Sequence, residues 1–159
     1  MKTIVKKYSV ALVKESAHKY ADIPGRLDNP GKNISYADSI LNFEAMTKEN
    51  FILIPVDTKL KPLGVFVLTT GTINASLVST RDVFQAALLC NAASIFVLHN
   101  HPSGDPSPSR QDKGITKKLI DAGKLMEIPL VDHVIVGDVG ENKYYSFKVD
   151  GNASGEFTW

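Results

Sequence analysis

Residues 93–98, Ala-Ser-Ile-Phe-Val-Leu, run straight into His99-Asn100-His101, and no other stretch narrows the possible folds as much. An apolar run of this length, bounded by turn residues, reads as a buried strand. Residues two apart on a strand point to the same side, about 6.6 Å along the chain. His99 and His101 therefore leave the strand end together and can converge on one metal ion. Residues 102–108 are rich in Pro, Gly and Ser and must form a loop that bends the chain back. Ser109 and Asp112 then stand at a helix start, where Asp112 can add an oxygen ligand. Two histidines, one carboxylate and an open fourth position form the donor set of a catalytic zinc site. The same letters allow a plainer reading. Ser109 as N-cap with Asp112 at the third helical position is a sound cap, and two histidines beside a tight loop can simply hydrogen-bond.

A chain of 159 residues makes one domain with room for a real core. Its net charge of +1 gives no broad electrostatic footprint for nucleic acid or an anionic membrane. Cys90 is the only cysteine, which excludes an intrachain disulfide and a Cys-based zinc site; it reads as a buried, inert thiol. No signal-peptide core is present, and no apolar stretch approaches about 18 residues, so a cytoplasmic protein without a membrane partner is expected.

Along the chain, residues 2–13 alternate loosely (Ile4, Tyr8, Val10, Leu12) and predict an edge strand. Residues 21–33, with Pro24, Gly25, Pro30 and Gly31, read as a loop. Tyr36, Ile40, Phe43 and Met46 predict a helix over 35–46. Residues 51–56 and 63–68 predict two antiparallel strands, followed by an irregular or extended link over 71–78. Ser79, with Asp82 three places on, signals a helix that ends near Asn91. A second helix over 109–126 carries Ile115, Leu119, Ala122 and Met126 at helical steps, with its lysines elsewhere. Residues 130–136 and 144–149 predict two more strands, and the tail after Gly151 reads as frayed, with Trp159 docked or free. Strands and helices mixed around one sheet give an α/β (α+β) class. The expected organisation is an N-terminal extension over 1–45 packed on the core, a main domain over 46–150 and a tail over 151–159.

His-x-His, seven residues, Ser, two residues, Asp is the spacing of His99, His101, Ser109 and Asp112. It resembles the metal motif of the JAMM (MPN-plus) metalloproteases. That family places a glutamate upstream at the entry to a sheet strand, and Glu49, ahead of Phe51-Ile52-Leu53-Ile54, occupies that place. The RadC-like branch is more similar still. Its blocks are matched in order by Val56-Asp57-Thr58-Lys59, Gly71-Thr72-Ile73-Asn74-Ala75-Ser76, Arg81-Asp82-Val83-Phe84, the histidine block through Asp105, and Asp132-His133-Val134-Ile135-Val136-Gly137.

The resemblance implies a cytidine-deaminase-like JAB/MPN domain, a mixed β-sheet flanked by helices. It implies one zinc ion per chain on His99, His101 and Asp112, with Glu49 as general base and later proton donor to the leaving amine. Ser109 would hydrogen-bond the developing oxyanion. The implied reaction is hydrolysis of a peptide or isopeptide bond in a peptide or protein substrate. Two departures stand out. Asn100 replaces the Ser or Thr of the deubiquitinase branch, but it faces the other side of the strand. The helix-hairpin-helix module common in bacterial RadC proteins has no counterpart pattern in residues 1–48.

Plainer assignments compete at several positions. Glu44, on the helix before Glu49, is the rival base. His133 reads as a structural histidine in a core strand, and Ser103, Asp105 and Ser107 as shapers of the loop. His18 has no evident partner. Two other functions remain open. One is a DNA-associated enzyme, suggested by the letters His-Asn-His, although HNH nucleases draw those residues from separate parts of a ββα element. The other is a non-catalytic zinc module that presents a surface. A homo-oligomer is compatible with either.

Overall fold

The computed structural model describes residues 12–15, 24–71, 78–153, 155 and 157–159. Strand β3 (Ser94–Asn100) is buried at every position, as its apolar composition demands. It pairs antiparallel with β1 (Glu49–Val56) and parallel with β4 (Leu130–Val136). β2 (Phe66–Gly71) and β5 (Tyr144–Ser146) close the edges of a five-stranded sheet in the order β2-β1-β3-β4-β5. A parallel pair needs a crossover, and helix α3 (Arg110–Met126) provides it between β3 and β4. The buried residues of α3, Asp112, Ile115, Thr116, Leu119, Ile120 and Gly123, form one stripe at helical spacing.

Side chains alternate across a sheet, so the core divides in two. Phe51, Leu53, Ile95 and Val97 cluster with Val83, Phe84 and Ala87 of helix α2 (Thr80–Leu89) and with Ile115 and Leu119 of α3. Ile52, Ile54, Phe96, Leu98, Val134 and Val136 cluster with Ile34 and Ala37 of helix α1 (Pro30–Leu41). Glu49 and His99 have the parity of the first set; Asn50 and Asn100 have that of the second. This mixed sheet with helices on both faces is the architecture the resemblance implied. Among the described residues, no helix is long and apolar enough to cross a membrane.

Several elements depart from expectation for local reasons. α1 starts at Pro30, inside the expected loop, because Asn29 caps it: its side-chain oxygen accepts from Lys32 N at 2.9 Å. Pro30 costs nothing at the first helical position, where an N–H would have no partner anyway. The helix stops early because Asn42 is left-handed (φ 54°), and Phe43–Ala45 form a separate 3-10 turn. β2 begins at Phe66 rather than at residue 63, because Leu63 N is spent on Pro55 O in the return from β1. The last strand ends at Ser146, where helix α4 (Val149–Ala153) follows a turn held by the Ser146 and Asp132 side chains. Residues 157–159 at the end of the tail are docked rather than frayed: Phe157 and Trp159 pack on the α2/α3 core and Lys124 Nζ donates to Thr158 O at 2.8 Å. Cys90 is half-buried rather than buried, and desolvation pushes its thiol pKa up. Residues 2–11 of the expected N-terminal edge strand, His18 and most of the link after Gly71 lie outside the described residues, and residues 12–13 are not in a strand.

Candidate metal centre

The antiparallel register of β1 and β3 sets Phe51 across from His99. Continued by two places, it sets Glu49 across from His101. Asn100 strengthens this alignment from the other face. Its Oδ1 accepts from Asn50 N at 2.9 Å and its Nδ2 donates to Lys48 O at 3.0 Å, bracketing the backbone of Glu49. Asn100 thus leaves the donor atoms alone, as expected, yet ties the glutamate strand to the histidine strand.

Glu49, His99, His101 and Asp112 each bring a donor atom to one place, all within 4.8 Å of one another. His99 Nε2 lies 3.0 Å from His101 Nε2 and 3.2 Å from Asp112 Oδ1. His101 Nε2 is 3.7 Å from Asp112 Oδ2. Ligand atoms about 2.0–2.1 Å from a tetrahedral zinc stand roughly 3.3 Å apart, so these three residues fit a zinc ion. His101 Nδ1 lies 2.8 Å from Asp105 O, a carbonyl that can only accept, so Nδ1 carries the proton and Nε2 offers its lone pair. A nitrogen lone pair facing other donor atoms at 3.0–3.7 Å could hold a cation.

Glu49 Oε1 stands slightly further out, 3.7 Å from His101 Nε2 and 3.9 Å from His99 Nε2. The side chains of His99 and Asp112 are 3% and 4% exposed, whereas those of His101 and Glu49 are 16% and 22% exposed. The deep pair anchors the site and the other two form its mouth. Glu44, the rival base, is exposed on the 3-10 turn and lies outside this group. With Phe43, Met46, His101 and Val139 it lines an adjoining cleft of about 350 Å³.

Asp112 owes its place to a capping box at the start of α3. Its backbone N–H donates to Ser109 Oγ at 3.1 Å, and its Oδ2 accepts from Ser109 N at 2.7 Å. Burial pushes the Asp112 carboxyl pKa up, but hydrogen bonding and charge from His99, together with the Ser109 bonds, outweigh it and hold the carboxyl well below the usual range. Both readings of Ser109 and Asp112, cap and site, thus describe one geometry. Asp105 bonds Ser107 through its side chain and His101 through its carbonyl, so it shapes the loop. That loop folds close against the end of β4: a Cβ on Gly137 would lie 2.5 Å from Gly104 O.

Beneath the donors lie a histidine that the sequence reading gave as structural and a threonine that it missed. His133 is fully buried, 2.8 Å from His99 Nδ1, and Thr116 reaches the far side of its ring at 2.7 Å. Burial drives the His133 pKa well down, with the charge of His99 acting in the same direction. The available signal was a threonine in an otherwise apolar helical stripe, one turn after Asp112. Asp132, beside it in sequence, serves the other face: it accepts from Ser146 Oγ and Lys148 N, and burial pushes its carboxyl up to about 6.

The chain is 40% identical over 151 residues to a UPF0758 protein of Thermotoga maritima, covering 95% of this chain and 65% of that one. It is 49% identical over 104 residues to a UPF0758 protein of Methanosarcina acetivorans, covering 65% of this chain and 44% of that one. A UPF0758 protein of Alkaliphilus metalliredigens is 45% identical over 103 residues, covering 65% of this chain and 43% of its own length. The chain therefore spans between 43% and 65% of the length of these curated relatives. The family described as RadC-like JAB domain matches residues 27–152, from just ahead of α1 into α4, and the chain belongs to that family.

Proposed function

We propose that this chain is a zinc-dependent hydrolase of the JAMM type that cleaves a peptide or isopeptide bond. The observation that carries the reading is the position of Glu49, within 4 Å of both imidazole Nε2 atoms yet more exposed than the two deep donors. His99, His101 and Asp112 would hold the metal. Bound there, zinc supplies a Lewis acid for a substrate carbonyl and for water.

The chain's own residues do the rest. Glu49, whose carboxylate stands at the mouth, accepts a proton from the attacking water and returns it to the leaving nitrogen. Ser109 turns its hydroxyl from the capping box toward the developing oxyanion. Asn100 holds the Glu49 backbone in register with His101, so the proton carrier stays aligned with the donors. The cleft beside His101 gives a residue flanking the scissile bond a partly apolar seat against Phe43, Met46 and Val139.

The test is a pair of variants assayed for zinc content and for cleavage of peptide and isopeptide libraries. His99→Ala loses zinc. Glu49→Gln keeps zinc and loses about 10²–10⁴-fold in rate, the range for removal of a general base. Unimpaired cleavage by Glu49→Gln would refute the base assignment, and a zinc-loaded chain that cleaves no peptide or isopeptide refutes the hydrolase reading. Metal-dependent cutting of plasmid or single-stranded DNA, abolished in His99→Ala, would favour a nucleic-acid enzyme instead.

A further inference from the structure

We propose that Thr116 and His133 are positioning residues that fix the tautomer of His99, so that its Nε2 lone pair always faces the metal. This inference rests on the zinc reading above and extends it to two residues that offer the metal no donor atom of their own. One group in this network has a role that is not adjustable. Thr116 Oγ1 lies 2.6 Å from the main-chain oxygen of Asp112, and a carbonyl can only accept. Thr116 has a single hydroxyl proton, which is spent there. Toward His133 Nδ1, 2.7 Å away, the threonine oxygen must therefore accept, and Nδ1 must carry the hydrogen.

His133 is fully buried, stacked on Phe147 at 4.8 Å and edge-on to Phe51 at 5.7 Å between ring centroids. A ring in such surroundings is neutral, because a buried charge without a carboxylate bonded to it is too costly. With Nδ1 protonated, Nε2 is bare and accepts from His99 Nδ1 at 2.8 Å. His99 then carries its proton on Nδ1 and presents Nε2 to His101 and Asp112. Every donor direction follows from the first carbonyl.

The chain of bonds returns to where it starts. Asp112 offers its carboxylate to the site and its backbone oxygen to Thr116, one helical turn later on the same buried stripe. One turn of α3 thus supplies a donor and sets the tautomer of a donor on β3, with β4 carrying the link. Metal-bound histidines commonly give their second N–H to a carboxylate or a carbonyl. Here the acceptor is a neutral imidazole, which adds no negative charge next to the ion.

Two measurements test this. Long-range 15N–1H correlation spectra of the histidine rings, recorded on the zinc-loaded chain, are expected to show His99 and His133 both protonated on Nδ1, with His99 Nε2 on the metal and His133 Nε2 bare. Zinc affinity, by chelator competition, is expected to fall about 10- to 100-fold in Thr116→Val and to recover in Thr116→Ser. A purely structural role would lower the melting temperature of the metal-free protein without this selective rescue. His133 protonated on Nε2, or wild-type zinc affinity in Thr116→Val, overturns the proposal. If Thr116→Val does not fold, the wild-type spectra still decide. A wild-type chain that takes up no zinc removes the metal reading and this proposal together, whereas zinc uptake with unchanged Thr116→Val affinity removes this proposal alone.

Discussion

Ser79-Thr80-Arg81-Asp82 and Ser109-Arg110-Gln111-Asp112 open α2 and α3 with the same residue types at the first and fourth places. At α2 the Ser79 hydroxyl accepts from Arg81 N at 3.1 Å, and Asp82 lies exposed. At α3 the capping box closes in both directions and Asp112 is buried against His99. Both aspartates suit the positive end of a helix dipole. Only the second has imidazoles in front of it, because α3 begins where the loop from the end of β3 returns. The signature specifies a helix start; what stands opposite it decides whether it is also a site.

The widest gap between the two helix starts is expected in metal binding. Asp112→Ala should abolish zinc uptake, more than the 10- to 100-fold lost when only a supporting bond is removed. Asp82→Ala should retain it fully, as metal analysis after dialysis will show. Equal uptake by both variants would break the comparison. Next comes the serine pair. Ser79→Ala and Ser109→Ala should each cost about 1 kcal/mol of stability in thermal melts. Only Ser109→Ala should also slow turnover, by about 10²–10³-fold if its hydroxyl meets the oxyanion.

A second contrast sharpens the first, since Asp112 and Asp132 are equally buried but shifted in opposite directions. Asp112 sits below its unfolded value, so its stabilisation is present above that value and is lost as acid takes the pH down through the folded one. Asp132 is raised from 3.8 to about 6, so its folded state favours the neutral acid. The metal-free chain should therefore lose up to about 3 kcal/mol as pH rises from 4 through 6. In denaturant titrations Asp132→Asn should flatten that slope, and an unchanged slope would reassign it. The smallest effect expected is for Asn100→Ala. It should lower the rate about tenfold with zinc content intact, because it frees the Glu49 backbone and leaves the donors in place.

Local chemistry made the centre readable. His99, His101, Ser109 and Asp112 lie within one strand end, one loop and one helix start, each with its own signal; the structure gathers the two histidines with Asp112, and Ser109 caps the helix that carries it. Glu49 was found through a resemblance, and the reason for its place is the β1–β3 register, a pairing between residues 50 positions apart. The boundary of α1 was misplaced because a proline and a glycine after an asparagine read equally well as loop or as the first turn of a helix. His133 and Thr116 were recognisable as buried but not as a pair, since nothing local connects a threonine on α3 with a histidine on β4.

The sequence by itself determined a fully buried strand ending in two same-side imidazoles, a capped helix after a Pro-Gly loop, and a mixed sheet with helices around it. These follow from periodicity and from backbone chemistry acting over a few residues. Only the tertiary structure decided how the β1–β3 register brings Glu49 to the histidines, how Asn100 pins the glutamate strand, and in which direction the Thr116–His133–His99 bonds run. Those depend on register and on contacts between distant segments, which packing selects from many arrangements that local signals leave equally acceptable.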